Sequence, residues 1–256
     1  MDKKLYNIIQ HYTEQEEAFV RRIWNNVEDV YYNYAIKEIG FCNPNEIKII
    51  QEIVKLFEVT LTINGGYAQA ELQNVIVYSP EYKIDNQVCV YELKYNTKFN
   101  ELEHRHVMGT LYNQGISERL LGDIIISEDK RCQIIVAKEL ADTLPLLVLK
   151  YSNIKVSYEE LSQVSIEAKP LSNGIRSARS LRLDAICKSV SQISRNQMVK
   201  EIKKGNIAVN HKVIVDLKYQ IKENDLLSIK GYGRVTIKKI IPVNGKYNIK
   251  YSSTKK

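Results

Sequence analysis

The sequence predicts an α+β protein in three parts: a helical N-terminal region, a central β-α-β-β-α-β domain, and a basic C-terminal domain of two short helices and a tight strand pair. Three observations carry this prediction. Apolar residues recur at helical spacing near both ends of the chain. Strand and helix patterns alternate between residues 87 and 158. The charge changes sign near residue 170: residues 171–256 hold 19 Lys+Arg against 5 Asp+Glu, and residues 1–170 hold 18 against 25. The overall net charge of +7 hides this division. A basic end of this density predicts a polyanionic partner. A membrane surface fits poorly, because the basic part lacks a broad Trp, Phe and Leu face.

The N-terminal region, residues 1–75, is expected to be mainly helical, and residues 1–57 read as helices. Thr13 and Glu16 form a capping box before Phe19, Val20, Ile23, Trp24 and Val27. Asn43 caps a second helix with Pro44 at its first position, and Ile47, Ile50, Ile53, Val54 and Phe57 form its apolar face. Tyr31, Tyr32 and Tyr34 are expected to pack in the core or an interface rather than stack on bases. Val59–Ile63 and Val75–Tyr78 read as strands. Gly65-Gly66 lacks the Lys-Ser/Thr of a phosphate loop.

The central domain, residues 76–165, takes its order from strands at 87–95, 123–127, 132–137 and 154–158, with helices at 102–112 and 138–149. This is the ferredoxin-like arrangement found in many RNA-recognition (RRM-like) domains. The aromatic signature of those domains is missing: Arg131-Cys132-Gln133-Ile134-Ile135-Val136 offers no ring to a base. Tyr91 and Tyr95 could stack but are expected to pack. Residues 166–179 read as a basic linker and residues 242–256 as a tail.

No metal, cofactor or catalytic group is predicted. His104 and His106, two residues apart on a helix, point to different sides and cannot share an ion there. Cys42, Cys89, Cys132 and Cys187 are dispersed without paired spacing, as buried free thiols of a cytoplasmic protein would be. No apolar signal core or membrane-length run occurs.

The most informative stretch is Ser180–Arg234. Leu183, Ile186, Cys187 and Val190 make one helical stripe; Ser194 opens a second helix with Gln197 in capping-box position, and Met198, Val199 and Ile202 form its apolar face. Gly205 ends that helix, and Ile207, Val209, Val213 and Val215 alternate around a turn at Asn210-His211-Lys212. Arg182, Lys188, Arg195, Lys200, Lys203, Lys204, Lys212, Lys230 and Arg234 fall between the apolar positions. Arg182 and Arg195 begin the two helices, where the dipole disfavours a cation, which suggests a role toward phosphate.

Arg182-Leu183-Asp184, Ser194-Arg195, Gly205-x-Ile207-x-Val209-Asn210, Asp225 and Gly231-x-Gly233-Arg234 resemble the RNA-binding domain of ribosomal protein S-four (S4), here residues 180–241. The resemblance implies RNA contact by Arg182, Ser194, Arg195, Lys203, Lys204, Asn210, His211, Lys212 and Arg234. Lys200 joins them as part of the same basic cluster, and Asp184 and Asp225 are expected to be structural. With His106–Leu111, Gly115–Arg119 and Leu121–Ile124, the chain further resembles the bacterial YlmH-type S4 proteins over almost its whole length. That resemblance implies a cytoplasmic factor binding ribosomal RNA, tRNA or both at the large ribosomal subunit, and a monomer is expected. Its expected setting is rescue of stalled translation, beside other quality-control factors.

An RNA-modifying enzyme is the alternative. The only Arg-Leu-Asp that could mimic a pseudouridine synthase lies at 182–184 inside the S4 helix, with no Thr-x-Gly-Leu after it. Neither synthetase ATP signatures nor a methyltransferase glycine loop occurs.

Overall fold

Lys3–Ile9 forms a short helix, α1, and Thr13 opens α2 (Glu14–Asn33) as its sequence demands: the Glu16 carboxylate accepts from the Thr13 N–H at 2.9 Å. Val20, Ile23, Trp24, Val27 and Val30 are its buried stripe. Strand β1 (Lys37–Cys42) follows, then α3 (Pro44–Val54), β2 (Thr60–Asn64) and β3 (Gln73–Tyr78). Asn43 caps α3 through Oδ1, which accepts from Asn45 N–H at 2.9 Å and Glu46 N–H at 3.1 Å. The three strands pair antiparallel in the order β1-β3-β2. The expectation of helices alone up to residue 57 is therefore corrected by β1. A bulge between Glu38 and Gly40 breaks the alternation that would have marked it. Packing of the tyrosines in the core is corrected as well: Tyr31, Tyr32 and Tyr34 are exposed, with Tyr31 resting against Phe57 at 5.7 Å.

This computed structural model describes residues 3–168, 171–191 and 193–254. The chain divides into two units, residues 1–169 and 170–256. The rest of the first unit comprises β4 (Val88–Lys94), α4 (His104–Asn113), β5 (Leu121–Ile126), β6 (Cys132–Ala137), α5 (Lys138–Ala141), α6 (Leu144–Leu147), β7 (Lys150–Tyr151), β8 (Ile154–Lys155) and β9 (Ser157–Leu161). The helix expected over 138–149 is two short pieces, because Pro145 can stand only in the first turn of a helix.

Strands β5-β6-β4-β9 form one antiparallel sheet. Both of its faces are covered. Cys89, Tyr91, Leu93, Ile134 and Val136 pack with Val107 and Leu111 of α4 and Leu140 of α5. Val90, Ile125 and Ile135 on the other face lie with Phe41 of β1, Tyr67, Leu72, Val164 and Ile166. Gly122 permits this approach, since a Cβ there would stand 2.6 Å from the Phe41 ring. Tyr91 faces the helices and donates to Ala141 O at 3.0 Å, and Tyr95 donates to Lys130 O. Neither ring is free to stack on a base.

Glu92 is the buried charge of this sheet. Its carboxylate accepts from Arg131, Lys94 and Gln133, and the Arg131 guanidinium above all holds its pKa down at about 2 against an ordinary 4.5. A depressed carboxylate stabilises the fold above its unfolded pKa, and that contribution is lost as pH falls through the folded value. Glu92→Gln should therefore destabilise the first unit by roughly 2–3 kcal/mol at neutral pH, with the deficit vanishing between pH 4.5 and 2. Urea unfolding followed at Trp24, the single tryptophan, measures it. A deficit independent of pH would contradict the assignment.

The second unit contains β10 (Ser172–Ala178), α7 (Leu183–Ser191), α8 (Arg195–Lys203), β11 (Ile207–Val209), β12 (Lys212–Val213), β13 (Leu226–Ile229), β14 (Gly233–Val243) and β15 (Lys246–Ser253). Its six-stranded antiparallel sheet runs β10-β15-β14-β13-β11-β12. The expected linker and tail are thus corrected. Residues 172–178 and 246–253 are neighbouring strands, paired from Ser172↔Ser253 to Ala178↔Tyr247. Lys169 and Pro170 of the linker and Lys255 and Lys256 of the tail lie outside the described residues. Val215 is exposed and belongs to no strand, because the β11–β12 ladder ends at Val213. Among the described residues no helix is long and apolar enough to cross a membrane.

Candidate nucleic-acid interface

The stripe Leu183, Ile186, Cys187 and Val190 is fully buried with Met198, Ile202, Ile237, Ile249 and Tyr251, so α7 and α8 lie on one face of the sheet. This packing fixes where the two helices start. Arg182 is the backbone cap of α7: its carbonyl accepts from Ala185 N–H at 3.1 Å and Ile186 N–H at 3.0 Å. Asp184 sits in the first helical turn, where the dipole favours an anion, and is only 3 % exposed.

Asp184 organises the site. Arg182 donates to it as a fork, Nε to Oδ1 at 2.9 Å and NH2 to Oδ2 at 3.1 Å. The Arg195 guanidinium, at the start of α8, lies 3.6 Å from Oδ2. One buried carboxylate thus gathers two guanidiniums and neutralises only one of their charges. Arg182 commits two of its five donors to the fork, and the Arg195 side chain is 68 % exposed. The remaining Arg182 donors and the exposed Arg195 guanidinium together offer a cationic surface to phosphate oxygens.

The other predicted residues are distributed around this centre. Ser194 Oγ accepts from Gln197 N–H at 3.3 Å and so serves the helix. The reciprocal half of the expected box is missing, because the Gln197 amide donates to Glu201 at 2.7 Å. Lys200 and Lys203 are exposed in the last turn of α8, where cations suit the dipole, and exposed Lys204 is its C-cap. Nine residues of helix put that end about 12 Å from Arg195. Gly205, at φ +73°, closes α8 with Asn206 N–H reaching back to Glu201 O at 3.0 Å.

Asn210 and His211, both at positive φ, form the two-residue turn of the β11–β12 hairpin. Asn210 is exposed, but its amide serves the fold: it donates to Asp225 at 2.9 Å and accepts from Leu226 N–H at 2.9 Å. Asp225 is buried by this clamp and by Lys222 N–H at 2.7 Å. His211 and Lys212 are half-buried beside the turn. Arg234 is set apart from the rest. It stands opposite Ser228, and Ser228 opposite Ala208, on the sheet face turned away from the helices.

Among the described residues nothing else assembles a reactive group. Burial pushes the thiols of Cys42, Cys132 and Cys187 up to about 12, far from a thiolate at neutral pH. No three His, Cys, Asp or Glu side chains among the described residues are grouped to hold a metal ion. His106 instead accepts at Nδ1 from Glu103 N–H at 3.3 Å, at the start of α4.

Comparison with known proteins divides the chain along the same lines. Residues 15–82 match the family described as "YlmH, N-terminal", residues 80–165 "Putative RNA-binding domain in YlmH", and residues 181–227 "S4 domain". The S4 match ends inside β13, so β10, β14 and β15 lie outside it. The "Ribosome-associated protein quality control protein P2" of Bacillus subtilis is 33% identical over 240 residues, covering 91% of this chain and 93% of that protein. A solved structure, "Cell division protein ylmH from Streptococcus pneumoniae", aligns with a TM-score of 0.51 and 26% identity over 59% of this chain and 93% of its own.

Proposed function

Since the chain belongs to the YlmH family of S4-domain proteins, we propose that it is a non-enzymatic RNA-binding factor. It contacts structured ribosomal RNA, tRNA or both at the large ribosomal subunit, during rescue and quality control of stalled translation. The observation that carries this reading is the Arg182–Asp184–Arg195 cluster: two guanidiniums gathered by one buried carboxylate at the starts of the helix pair, with the last-turn lysines of α8 beyond them. Such a surface recognises backbone position and shape rather than base identity. The name of the Bacillus subtilis relative supports the ribosomal setting. An enzymatic role for the Arg-Leu-Asp sequence is disfavoured by its geometry, because Asp184 is buried beneath both arginines. The protein acts as a cytoplasmic monomer in this reading. Its central sheet is a ferredoxin-like domain, as the strand order β9-β4-β6-β5 supports.

Because the central sheet has both faces covered, RNA affinity should reside in the second unit. Residues 170–256 alone are expected to bind a structured ribosomal RNA fragment within a few-fold of the full chain, and residues 1–169 at least tenfold more weakly. Filter binding of the two fragments at fixed salt is the test. Equal binding by residues 1–169 would overturn the reading.

A further inference from the structure

We propose that the outer face of the six-stranded sheet is a second RNA-binding surface, so that one copy of the chain holds two RNA segments on opposite sides of its basic unit. The proposal rests on the reading of the helix-pair face as RNA-binding, but it uses different residues. Register decides which side chains share the outer face. Ala208, Ser228 and Arg234 stand opposite one another on β11, β13 and β14, and Lys239, Lys250 and Ile175 do so on β14, β15 and β10. Residues next to them along the same strands, Val209, Leu227, Val235 and Ile249, are buried with α7 and α8. The outer set therefore points away from the helices.

Two features of this face are unexplained by the fold. At one end lies an open cleft of about 440 Å³, walled by Asn206, Ala208, Ser228 and the turn from Lys230 to Arg234. Its size suits a small-molecule unit such as one nucleotide. At the other end Lys239 and Lys250 are exposed and directly cross-strand. Like charges in that position destabilise a sheet. Among the described residues the five acids of residues 171–256 are held by other partners, the nearest being Glu223, bound to the backbone beside Lys239. Asp184 holds Arg182, Asp225 holds Asn210, and Glu201 holds Asn206. Asp216 accepts from Lys218 N–H and Glu223 from Ile240 N–H.

An external polyanion would relieve the repulsion. Exposed Ser177 and half-buried Asn248, whose side chains are hydrogen-bonded to each other across the strands at 2.7 Å, add polar groups to the same face of the kind that meet phosphate and ribose hydroxyls. Ile175, 58 % exposed and directly opposite Lys250, is aliphatic. The strand residues of this face supply none of the rings that anchor a protein in a lipid interface, which favours RNA over an anionic membrane.

The test mixes the full chain with one short RNA hairpin carried in two dye-labelled versions, and counts hairpins per protein at saturation. Two are expected. Lys239→Gln with Lys250→Gln should weaken the second binding event at least tenfold and lower its log affinity–log salt slope by about 1.4–1.8, leaving the first event intact. Its melting temperature should be equal or higher, since a repulsion has been removed. A single hairpin at saturation would overturn the proposal. So would a second event unaffected by the double substitution, or a loss confined to binding of phosphatidylserine-containing vesicles. Two hairpins with a first event indifferent to Arg195→Ala would instead sink the helix-face reading and leave this one standing.

Discussion

A fragment limited to residues 180–241, the extent that the S4 motif alone suggests, is expected not to fold. It lacks β10 and β15, the two strands that complete the sheet beside β14. With them go the buried side chains of Ala178, Ile249 and Tyr251 from the core beneath α7 and α8. Each large apolar side chain taken from a core removes roughly 1.5–3 kcal/mol of burial. The β14 edge would also be left with its β15 ladder, from Val235↔Ser253 to Ile241↔Asn248, unpaired. Against a total stability of about 5–15 kcal/mol for a small domain, these losses are decisive. Residues 170–256 should unfold cooperatively in urea, and residues 180–241 should show no cooperative transition. A cooperative transition in the shorter fragment would mean that β10 and β15 are accessory.

Of those two strands β10 is the harder to read, since Ser172-Asn173-Gly174 has the composition of a loop. Strand β15 carries a local signal, Tyr247, Ile249 and Tyr251 alternating with Asn248, Lys250 and Ser252, that the expectation of a tail leaves unused. The pairing of the two strands joins residues about eighty positions apart, which no local pattern encodes. Strand β1 is hidden for a different reason. Tyr34 ends α2 in the left-handed region and Gly40 takes φ +85° at a bulge, so the short apolar run between reads as a continuation of the helical part. The helices are legible because their rules are local. Thr13, Asn43, Ser194 and Gly205 all sit at the helix ends expected of them. The stripe at Leu183, Ile186, Cys187 and Val190 is buried. The candidate site is half legible. Arg182 and Arg195 stand out as cations at the wrong ends of helices. The reason they can stand there, the carboxylate of Asp184 between them, emerges only when the two helices pack.

The same geometry decides how the arginines should be tested. Arg182→Ala would leave the buried Asp184 without its fork, a loss of roughly 1–3 kcal/mol once the partial exposure of Arg182 is discounted. A binding defect in that variant would mix folding with recognition. Arg195→Ala avoids the difficulty, because the Arg182 fork still satisfies Asp184. Coupling Arg182→Ala and Arg195→Ala to Asp184→Asn removes both cations and the orphaned charge together.

The decisive measurement is the salt dependence of RNA affinity for these two variants, with circular dichroism confirming the fold. Removing one phosphate-binding cation lowers the slope of log affinity against log salt by about 0.7–0.9. Arg195→Ala should therefore flatten the slope by about that amount, and the triple variant by about as much, because each removes one net positive charge from the cluster. Neutralising Lys55 and Lys83 of the acidic unit should leave the slope unchanged. A folded Arg195→Ala protein with the wild-type slope would contradict the account, and would mean that the fork serves the fold and RNA is held elsewhere.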